Sequence, residues 1–479
     1  MSAQFDHIVS LSKRRGFIFQ SSEIYGGLAA TYDYGPMGVE IKRNVVQCWW
    51  DEMVYHNDNI VGLDTAVFMH PTVWKASGHV DAFNDPMIDD KTTNMRYRAD
   101  DLIEGHIARL RKKGKDERAD QVHERLVAAL NDENMTDALH DLITEEEIRS
   151  PDSGQCNWTD VRQFNLMFDT RLGASSDSEN KIYLRPETAQ GTYVNFHNVR
   201  ETARLQIPFG IAQVGKAFRN EIVARQFIFR TREFHQMEMQ YFVAPGSQME
   251  ALEMWRERRM QWHLDNGIRP EKLRWHEHEK LAHYADVAFD LQYEYPNGWQ
   301  ELEGVHSRTD FDLKAHQEYS GKKMEYIDPQ TSERFIPYVV ETAAGLDRII
   351  LALLCDAYRE EEVNGEKRTL MAFHPRIAPI KVAILPLVKK DGMPEVAHAI
   401  KDSLKADFNT FYDEKGAIGR RYRRMDEVGT PFCVTVDGET LTDGTVTVRE
   451  RDSMEQIRVE KDAVAGVLIE KLRSWEAGT

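Results

Sequence analysis

Residues that could hold a nucleotide alternate along residues 213–242, QVGKAFRNEIVARQFIFRTREFHQMEMQYF. The pattern predicts two strands joined by a short loop. Because successive strand residues point to opposite faces, Arg219 and Glu221 share one face of the first strand. The matching face of the second strand carries Arg230, Arg232, Phe234, Gln236 and Glu238. A face that holds cations, an aromatic ring and carboxylates can contact a triphosphate, a base and an ammonium group together.

The same pattern has a simpler interpretation. The arginines and glutamates of the hairpin could pair across the two strands in solvent, where each ion pair contributes only a fraction of a kcal/mol. The rest of the sequence has to decide between a nucleotide site and a charged surface hairpin.

Length and composition predict a large globular protein. The chain has 479 residues and 41% hydrophobic content, enough for two or three domains that each bury a core. No apolar run reaches about 18 residues, so no transmembrane helix and no membrane partner are expected. The first residues lack the apolar segment and cleavage site of a secretory signal, and a cytoplasmic location is expected. Cys48, Cys156, Cys355 and Cys433 form no C-x-x-C pair and are expected to be reduced, buried thiols.

The net charge of −18 is an argument against nucleic-acid binding, which depends on Lys and Arg meeting phosphates. Charge is a local property, however, and two basic clusters occur, at residues 109–115 (RLRKKGK) and 420–424 (RRYRR). Each cluster is either a solvated face or an RNA-binding patch.

Periodicity divides the chain into three parts. Apolar spacing predicts helices over residues 38–55 and 345–358, and a strand over residues 60–69 that ends near Pro71. Residues 90–150 are rich in charge and in helix formers and are interpreted as a helical insertion. After about residue 375, strands at 381–387 and 431–436 alternate with a helix at 395–412. We therefore predict a catalytic body at 1–89 and 151–375, the insertion at 90–150, and an α/β domain at 376–479.

Several motifs, in the right order, resemble the homodimeric glycyl-tRNA synthetases of class II. Motif 2 corresponds to Phe218-Arg219-Asn220-Glu221 and Arg232-Glu233-Phe234, and motif 3 to residues 341–348, ETAAGLDR. The helix, the strand and Pro71 resemble motif 1, the dimer interface; the alternative is an edge strand stopped by proline. Further matching strings are Tyr34-Gly35-Pro36, Ser77-Gly78-His79, Arg98-Ala99-Asp100, residues 184–191 (LRPETAQG) and residues 308–313 (RTDFDL).

The resemblance implies an α/β (α+β) fold with a class II antiparallel-sheet catalytic domain, a helical insertion and a C-terminal α/β anticodon-binding domain. It implies that Arg219 contacts the α-phosphate and Arg348 the γ-phosphate of ATP, and that both are catalytic. Phe234 and Arg348 would stack on the two faces of adenine, Glu221 would accept from its amino group, and Glu301 would hold Mg²⁺. The full set of ATP-binding residues that it implies is Arg219, Asn220, Glu221, Phe229, Arg230, Thr231, Arg232, Glu233, Phe234, Glu301, Leu302, Gly345, Leu346, Asp347 and Arg348.

Glycine offers an ammonium group but no side chain to grip, so carboxylates must supply affinity and a tight wall must exclude larger amino acids. The glycine-binding residues that the resemblance implies are Arg98, Glu187, Phe234, Glu238, Glu341, Ala343 and Gly345. No editing domain is expected. One departure occurs: many relatives have E-P-S-x-G in motif 3, whereas this chain has Thr342 and Ala343, so a hydroxyl contact near the glycine α-carbon is expected to be absent.

The expected partners are glycine, ATP with Mg²⁺, tRNA(Gly) and a second copy of the chain. Some relatives hold a structural zinc ion with two C-x-x-C pairs that flank the insertion. The corresponding positions here are Asp90, Thr93, Ser150 and Ser153, so no structural zinc is expected. In the C-terminal domain the candidate RNA contacts are Arg420, Arg421, Arg423 and Arg424.

Two other functions are compatible with parts of this pattern. A class II synthetase for another amino acid would keep motif 2 but should lack Glu187, Glu238 and Glu341 together. An accessory, RNA-binding dimer without ligase activity commonly loses the ATP-binding arginines, and both Arg219 and Arg348 are present. An active glycine-tRNA ligase is therefore the favoured hypothesis.

Overall fold

The computed structural model describes residues 3–132, 134–173, 181–221, 227–278 and 285–475. The helices are α1 Ala3–Arg15, α2 Pro36–Trp50, α3 Pro71–Ala76, α4 His79–Ala82, α5 Ala99–Lys112, α6 Asp116–Leu130, α7 Met135–Glu145, α8 Ala189–Val194, α9 Phe196–Ala203, α10 Gln248–Asp265, α11 Phe311–Ser320, α12 Leu346–Ala357, α13 Met393–Leu404, α14 Ile418–Val428, α15 Thr440–Asp443 and α16 Val464–Arg473. The strands are β1 Ile18–Gln20, β2 Tyr32–Tyr34, β3 Ile60–Gly62, β4 Asn84–Asp89, β5 Arg96–Arg98, β6 Arg162–Asn165, β7 Asp169–Arg171, β8 Lys181–Tyr183, β9 Phe209–Phe218, β10 Glu233–Val243, β11 Leu273–Glu277, β12 Val287–Tyr295, β13 Gly298–Thr309, β14 Tyr326–Ile327, β15 Arg334–Phe335, β16 Tyr338–Gly345, β17 Tyr358–Val363, β18 Glu366–Met371, β19 Val382–Pro386, β20 Thr410–Tyr412, β21 Phe432–Val436, β22 Thr445–Glu450 and β23 Gln456–Glu460.

The catalytic body is built on a seven-stranded sheet with the order β11-β12-β13-β16-β10-β9-β3. Its strands pair antiparallel, except that β3 runs parallel to β9. Apolar residues such as Met237, Met239 and Val340 point to one face, where α2, α10 and α12 cover them in the main core. Polar residues occupy the alternate positions, so the opposite face is left for a binding site.

The described part of the insertion contains α5, α6 and α7, which pack around their own core with Ile103, Leu126 and Leu139. A small sheet, β5-β4-β6, connects them to the body. The C-terminal part is a mixed five-stranded sheet, β20-β19-β21-β22-β23, with β19 parallel to both of its neighbours. The predicted fold class is confirmed; the residue limits of the three domains stay predictions.

Two predicted elements are shorter in the structure than the sequence predicts. The strand predicted over residues 60–69 ends at Gly62, and Pro71 begins α3 instead of closing a strand. Proline has no amide hydrogen to donate, and in the first turn of a helix that hydrogen has no partner within the helix. The His70 ring caps α3 by accepting a hydrogen bond from the Thr72 amide at 3.2 Å. The helix predicted over residues 395–412 ends at Leu404, and Thr410–Tyr412 forms β20 beside β19.

The hairpin strands are shorter than predicted. The first strand, β9, ends at Phe218 and the second, β10, begins at Glu233, so the arginines and glutamates nearest the turn lie in the connection. That connection stays attached at its base, where the Arg219 amide donates to the Arg232 carbonyl at 2.9 Å. Residues 222–226 of the predicted loop lie outside the described residues.

The cysteine prediction is correct in part. Cys355 and Cys433 are buried, but Cys48 is only partly buried and Cys156 is exposed. Among the described residues, no helix is both long enough and apolar enough to cross a bilayer.

Candidate active site

The candidate site lies on the polar face of the sheet, where β10, β16 and β13 are neighbours. In the registers of these strands Glu238 pairs with Ala343, and His306 pairs with Glu341. Paired residues project to the same face of a sheet, so these side chains converge. The α12 helix begins directly after β16 and carries Arg348 into the same region.

A cavity opens above these strands. Its wall is lined by Glu187, Arg219, Glu221, Ile228, Phe229, Arg230, Thr231, Phe234, Gln236, Glu238, Glu301, His306, Arg308, Glu341, Ala343, Ala344, Gly345, Asp347 and Arg348. The structure therefore brings together most of the residues that the motifs singled out for ATP and for glycine.

Six of the predicted site residues do not line the cavity: Asn220, Arg232, Glu233, Leu302, Leu346 and Arg98. The Leu302 and Leu346 side chains are buried in the main core. The Glu233 carboxylate pairs with Lys216, and Arg232 donates to the Glu221 carbonyl at 3.0 Å, which braces the connection before β10.

Arg98 also lies outside the cavity wall. Its guanidinium contacts Asp85 at 3.0 Å and Asp100 at 2.6 Å, so both ends of its fork are used by carboxylates at the base of the insertion. Arg98 would have to break these ion pairs before it could contact a substrate.

The two predicted catalytic arginines lie against aromatic rings in the cavity. The Arg219 guanidinium lies 5.3 Å from the ring centroids of both Phe83 and Phe234. The Arg348 guanidinium lies 4.5 Å above the Phe229 ring. The stacking of adenine between Phe234 and Arg348 stays a prediction.

Glu301 reaches the cavity because of a β-bulge. Leu291 pairs with Glu303 and Gln292 with Glu301, which leaves Leu302 as an extra residue on β13. Leu302 turns into the core, and Glu301 turns to the face that carries His306. There the Glu301 carboxylate meets Arg348 at 2.7 Å, and this positive charge lowers the pKa of Glu301 to about 2.

The cavity wall also holds three glutamates, Glu187, Glu238 and Glu341. Glu341 is held through one oxygen by Arg308 at 3.0 Å and Gln240 at 2.7 Å. Burial alone would raise the pKa of Glu341, but Arg308 and then His306 bring it down to about 2. Glu187 lies 3.5 Å from His79, and despite its burial this neighbour holds the pKa of Glu187 well below the ordinary value.

Glu238 is the exception among the three. It is buried and accepts a hydrogen bond from the Thr188 hydroxyl, and among the described residues no Lys, Arg or His forms an ion pair with it. Burial, followed by the charges of Glu341 and Glu187, raises the pKa of Glu238 well above its ordinary value. Of the three glutamates, Glu238 is therefore the one whose carboxyl group holds a proton to the highest pH.

Asp347 fixes the start of α12 by hydrogen bonds to neighbouring strands. Its carboxylate accepts hydrogen bonds from the Tyr34 hydroxyl and from the His235 amide, the latter at 2.9 Å. These bonds join the start of α12 to β2 and β10. Tyr34 belongs to the Tyr34-Gly35-Pro36 string, which thus fixes the position of the helix that carries Arg348.

Sequence reasoning missed His306 and Gln236 as site residues, and it assigned no role to Arg308. The signal was present in part, since His306 and Arg308 are two residues apart, which is the strand period. The bulge at Leu302 breaks this period, however, so counting along the strand from Glu301 puts His306 on the wrong face.

The four residues that replace the cysteine pairs do lie together. The buried Asp90 carboxylate accepts from the Thr93 hydroxyl at 3.0 Å and from the Thr92 amide at 2.8 Å, and it also bonds the Ser150 and Ser153 hydroxyls. Within the described residues no group of three or more His, Cys, Asp or Glu side chains is placed to hold a metal ion. The absence of structural zinc stays a prediction.

The basic run of the C-terminal domain has mixed exposure. Arg421 is buried and donates to the carbonyls of Pro386 at 2.5 Å and Leu387 at 3.0 Å, so it is not available to RNA. Arg424 pairs with Asp413. Arg420 is exposed and Arg423 is half-buried, and these two remain candidate RNA contacts.

Comparison with known families agrees with this architecture. Residues 168–357 match the family described as the tRNA synthetase class II core domain (G, H, P, S and T). Residues 85–166 match the glycyl-tRNA synthetase insertion domain 1, and residues 381–471 match an anticodon binding domain. The fold and the site are those of a class II aminoacyl-tRNA synthetase.

Full-length relatives narrow the class further. The chain is 57% identical to the glycine-tRNA ligase of Chlorobaculum tepidum, over 97% of this chain and 99% of the relative. It is 50% identical to that of Treponema denticola, over 98% of each chain, and 48% identical to that of Bacillus anthracis, over 98% and 99%. The chain belongs to the glycine-tRNA ligase family, and the resemblance seen in the motifs is confirmed.

Proposed function

We propose that the protein joins glycine to the 3′ end of tRNA(Gly) through a glycyl-adenylate. The observation that carries this proposal is the placement of Glu187, Glu238 and Glu341 in one cavity with Arg219 and Arg348. Carboxylates bind an ammonium group, and arginines bind phosphates, so a single cavity can hold both substrates of amino-acid activation.

In the first step a carboxylate oxygen of glycine attacks the α-phosphorus of ATP, and the bond to pyrophosphate breaks. No protein nucleophile is required, so positioning and charge stabilisation provide the catalysis. Arg219 is placed to neutralise charge on the α-phosphate, and Arg348 to bind the γ-phosphate. Phe229 and Phe234 provide apolar surfaces for adenine beside these arginines.

Mg²⁺ would enter this site as part of the ATP complex. Glu301 suits it, because Mg²⁺ in nucleotide sites is usually bound by one or two carboxylates together with phosphate oxygens and water. The Glu301 side chain is 48% exposed on the cavity and carries a depressed pKa, so its carboxylate stays ionised. The ion would add positive charge where the phosphates collect negative charge.

In the second step a hydroxyl of the terminal adenosine of tRNA attacks the carbonyl carbon of the adenylate, and AMP leaves. The match of residues 381–471 to an anticodon binding domain supports tRNA as the acceptor. Discrimination by size fits the cavity wall, where Ala343 lies beside Gly304 in the strand register. We also propose that the enzyme acts in the cytoplasm as a homodimer, as the motif 1 resemblance implies.

The ligation itself can be tested by charging bulk bacterial tRNA with labelled glycine. Wild-type protein should form an ester-linked glycyl-tRNA that requires ATP. Arg219→Ala should abolish both charging and adenylate formation while the melting temperature and circular dichroism stay unchanged. Among the described residues, the Arg219 side chain donates only to the Pro186 carbonyl, from Nε at 3.1 Å, and otherwise lies against two rings. Near-normal charging by Arg219→Ala would contradict the role given to this arginine.

The alternative is an accessory dimer that binds RNA without ligating it. Such a protein would retain tRNA binding in a gel-shift assay but would form neither glycyl-tRNA nor adenylate. The presence of both Arg219 and Arg348 in the cavity favours the ligase.

A further inference from the structure

His306 lies in the wall of the cavity, and the proposed contacts with ATP do not include it. Its ring lies between two carboxylates, with Nδ1 at 3.4 Å from Glu341 and Nε2 at 3.6 Å from Asp290. Burial by itself would lower the pKa of an imidazole, but Asp290 and Glu341 raise the pKa of His306 to about 9. Below that pH the ring is an imidazolium, and both nitrogens are donors.

The sheet register places the ring there. Asp290 pairs with Gly304 across β12 and β13, and His306 pairs with Glu341 across β13 and β16. The ring folds back over Gly304, where an added Cβ would lie only 2.6 Å from the His306 Cε1 atom. Only a glycine at position 304 leaves this space, because any other residue would push the imidazole away from its two carboxylates.

Glu341 is consequently held through both of its oxygens. Arg308 and Gln240 bind one oxygen, and His306 lies against the other. A carboxylate fixed in this way can receive an ammonium group without first reorienting, which is how preorganised sites gain affinity. The opposite side of the imidazole is fixed in turn by Asp290, whose second oxygen is 2.8 Å from His278.

We propose that His306 is a positioning residue for glycine: it holds Glu341 in the orientation that receives the glycine ammonium. Asp290 acts on glycine only through His306. This inference rests on the proposed function, since it takes Glu341 as a ligand of the ammonium group. A residue that merely filled space would affect folding and every substrate alike, whereas a positioning residue affects glycine alone.

The test is ATP-pyrophosphate exchange with glycine and ATP varied separately. His306→Ala should raise KM for glycine about ten-fold, the value of one lost hydrogen bond to a charged group, with kcat and KM for ATP changed less than about two-fold. His306→Gln keeps an N–H donor and should recover most of the affinity for glycine. His123→Gln, a substitution of an exposed histidine on α6, is the matched control and should change nothing.

Two second-site variants test the mechanism. Gly304→Ala should raise KM for glycine by displacing the imidazole, and Asp290→Asn should do so by releasing it. Neither substitution should have a further effect in the His306→Ala background, because residues that act through one group are not additive. If either substitution raises KM for glycine as much in the His306→Ala background as it does in wild type, the inference is overturned.

The outcomes separate the two proposals. If wild-type protein exchanges pyrophosphate with glycine but His306→Ala keeps the wild-type KM for glycine, the role of His306 is refuted and the proposed function stands. An equal loss for glycine and ATP would also refute it. If wild-type protein shows no exchange with glycine, the proposed function and this inference fail together.

Discussion

At the scale of residues, the protonation of the three cavity glutamates determines how much negative charge the proposed glycine site carries. Three carboxylates lie together; Glu341 is paired with Arg308, and Glu187 lies against His79. Glu238 has a hydroxyl neighbour instead, and burial together with the two nearby carboxylates raises its pKa well above the ordinary value. An arriving ammonium group would stabilise the ionised form of Glu238, so glycine binding should release a proton.

The raised pKa of Glu238 also predicts a pH effect on stability. The unfolded chain releases this proton near the ordinary value of 4.5, but the folded chain holds it to higher pH. The stabilising effect is therefore complete below the unfolded value and is lost as pH rises toward the folded one. Glu238→Gln cannot ionise, so the melting temperature of this variant should rise relative to that of wild type as pH increases above 4.5.

Glu257→Gln, an exposed substitution on α10, is the control for that measurement and should follow wild type. If the melting temperatures of Glu238→Gln and wild type change equally with pH, Glu238 is ionised in the folded protein over the whole range. The same Gln substitution should weaken glycine binding, because it removes a negative charge from the ammonium site.

Residue identities were the part of the site that sequence could predict. Arg219, Phe234, Glu238 and Glu341 follow from motif order, since each motif fixes a few chemical types at short spacing. The role of His306 could not be predicted in this way, because it depends on a bulge at Leu302 and on which strand lies beside β13. Those are long-range facts that no local pattern contains.

At the scale of elements, local sequence patterns gave the wrong secondary structure where the same residues are compatible with two structures. Pro71 is compatible with a strand end and with the first turn of a helix, and a neighbouring histidine cap decided for the helix. Thr410–Tyr412 continues an apolar periodicity that begins in α13, but an open edge beside β19 makes it a strand. Tertiary pairing overrode propensity in this second case.

The Asp90 cluster ties the two flanks of the insertion together and carries a prediction of its own. Hydrogen bonds from Ser153 and its neighbours hold the pKa of Asp90 well below the ordinary value of 3.8. The resulting stabilisation is present above pH 3.8 and is lost as pH falls through the folded pKa. Asp90→Ala should expose the flanks near residues 90–98 and 150–158, seen as faster amide hydrogen exchange there.

The neighbouring Asp89 supplies the control. It pairs with Arg96 at 2.6 Å on the surface, and such pairs are worth about 0–1 kcal/mol, so Asp89→Asn should leave exchange nearly unchanged. A chelator should have no effect on wild type if the cluster, and not zinc, holds the flanks. Destabilisation of wild type by the chelator would contradict this account, and so would amide hydrogen exchange in Asp90→Ala as slow as in wild type.

At the scale of the whole molecule, buried arginines join the anticodon-binding domain to the catalytic body. Arg368 of β18 pairs with Asp426 of α14 at 2.9 Å, and Arg451 donates to the Phe373 carbonyl at 2.9 Å. Arg368 and Arg451 are both fully buried. The distance between the tRNA-reading surface and the active site is thus set by rigid contacts, which suits an enzyme that must reach both ends of one RNA.

The arginines of residues 420–424 should therefore separate into two functional classes. Arg420→Ala removes an exposed cation, so it should raise KM for tRNA and reduce the salt dependence of that KM by a slope of about 1, without changing pyrophosphate exchange. Arg421→Ala leaves buried carbonyls without a donor and should lower the melting temperature instead. Equal effects of the two substitutions on tRNA would contradict this division.

The central claim is that this cavity activates glycine. The most direct measurement is ATP-pyrophosphate exchange by purified wild-type protein, without tRNA, in the presence of each of the twenty amino acids in turn. Exchange with glycine alone is the result predicted by the proposal that Glu187, Glu238 and Glu341 bind the ammonium group of glycine. Exchange with a different amino acid, or with none, would contradict it.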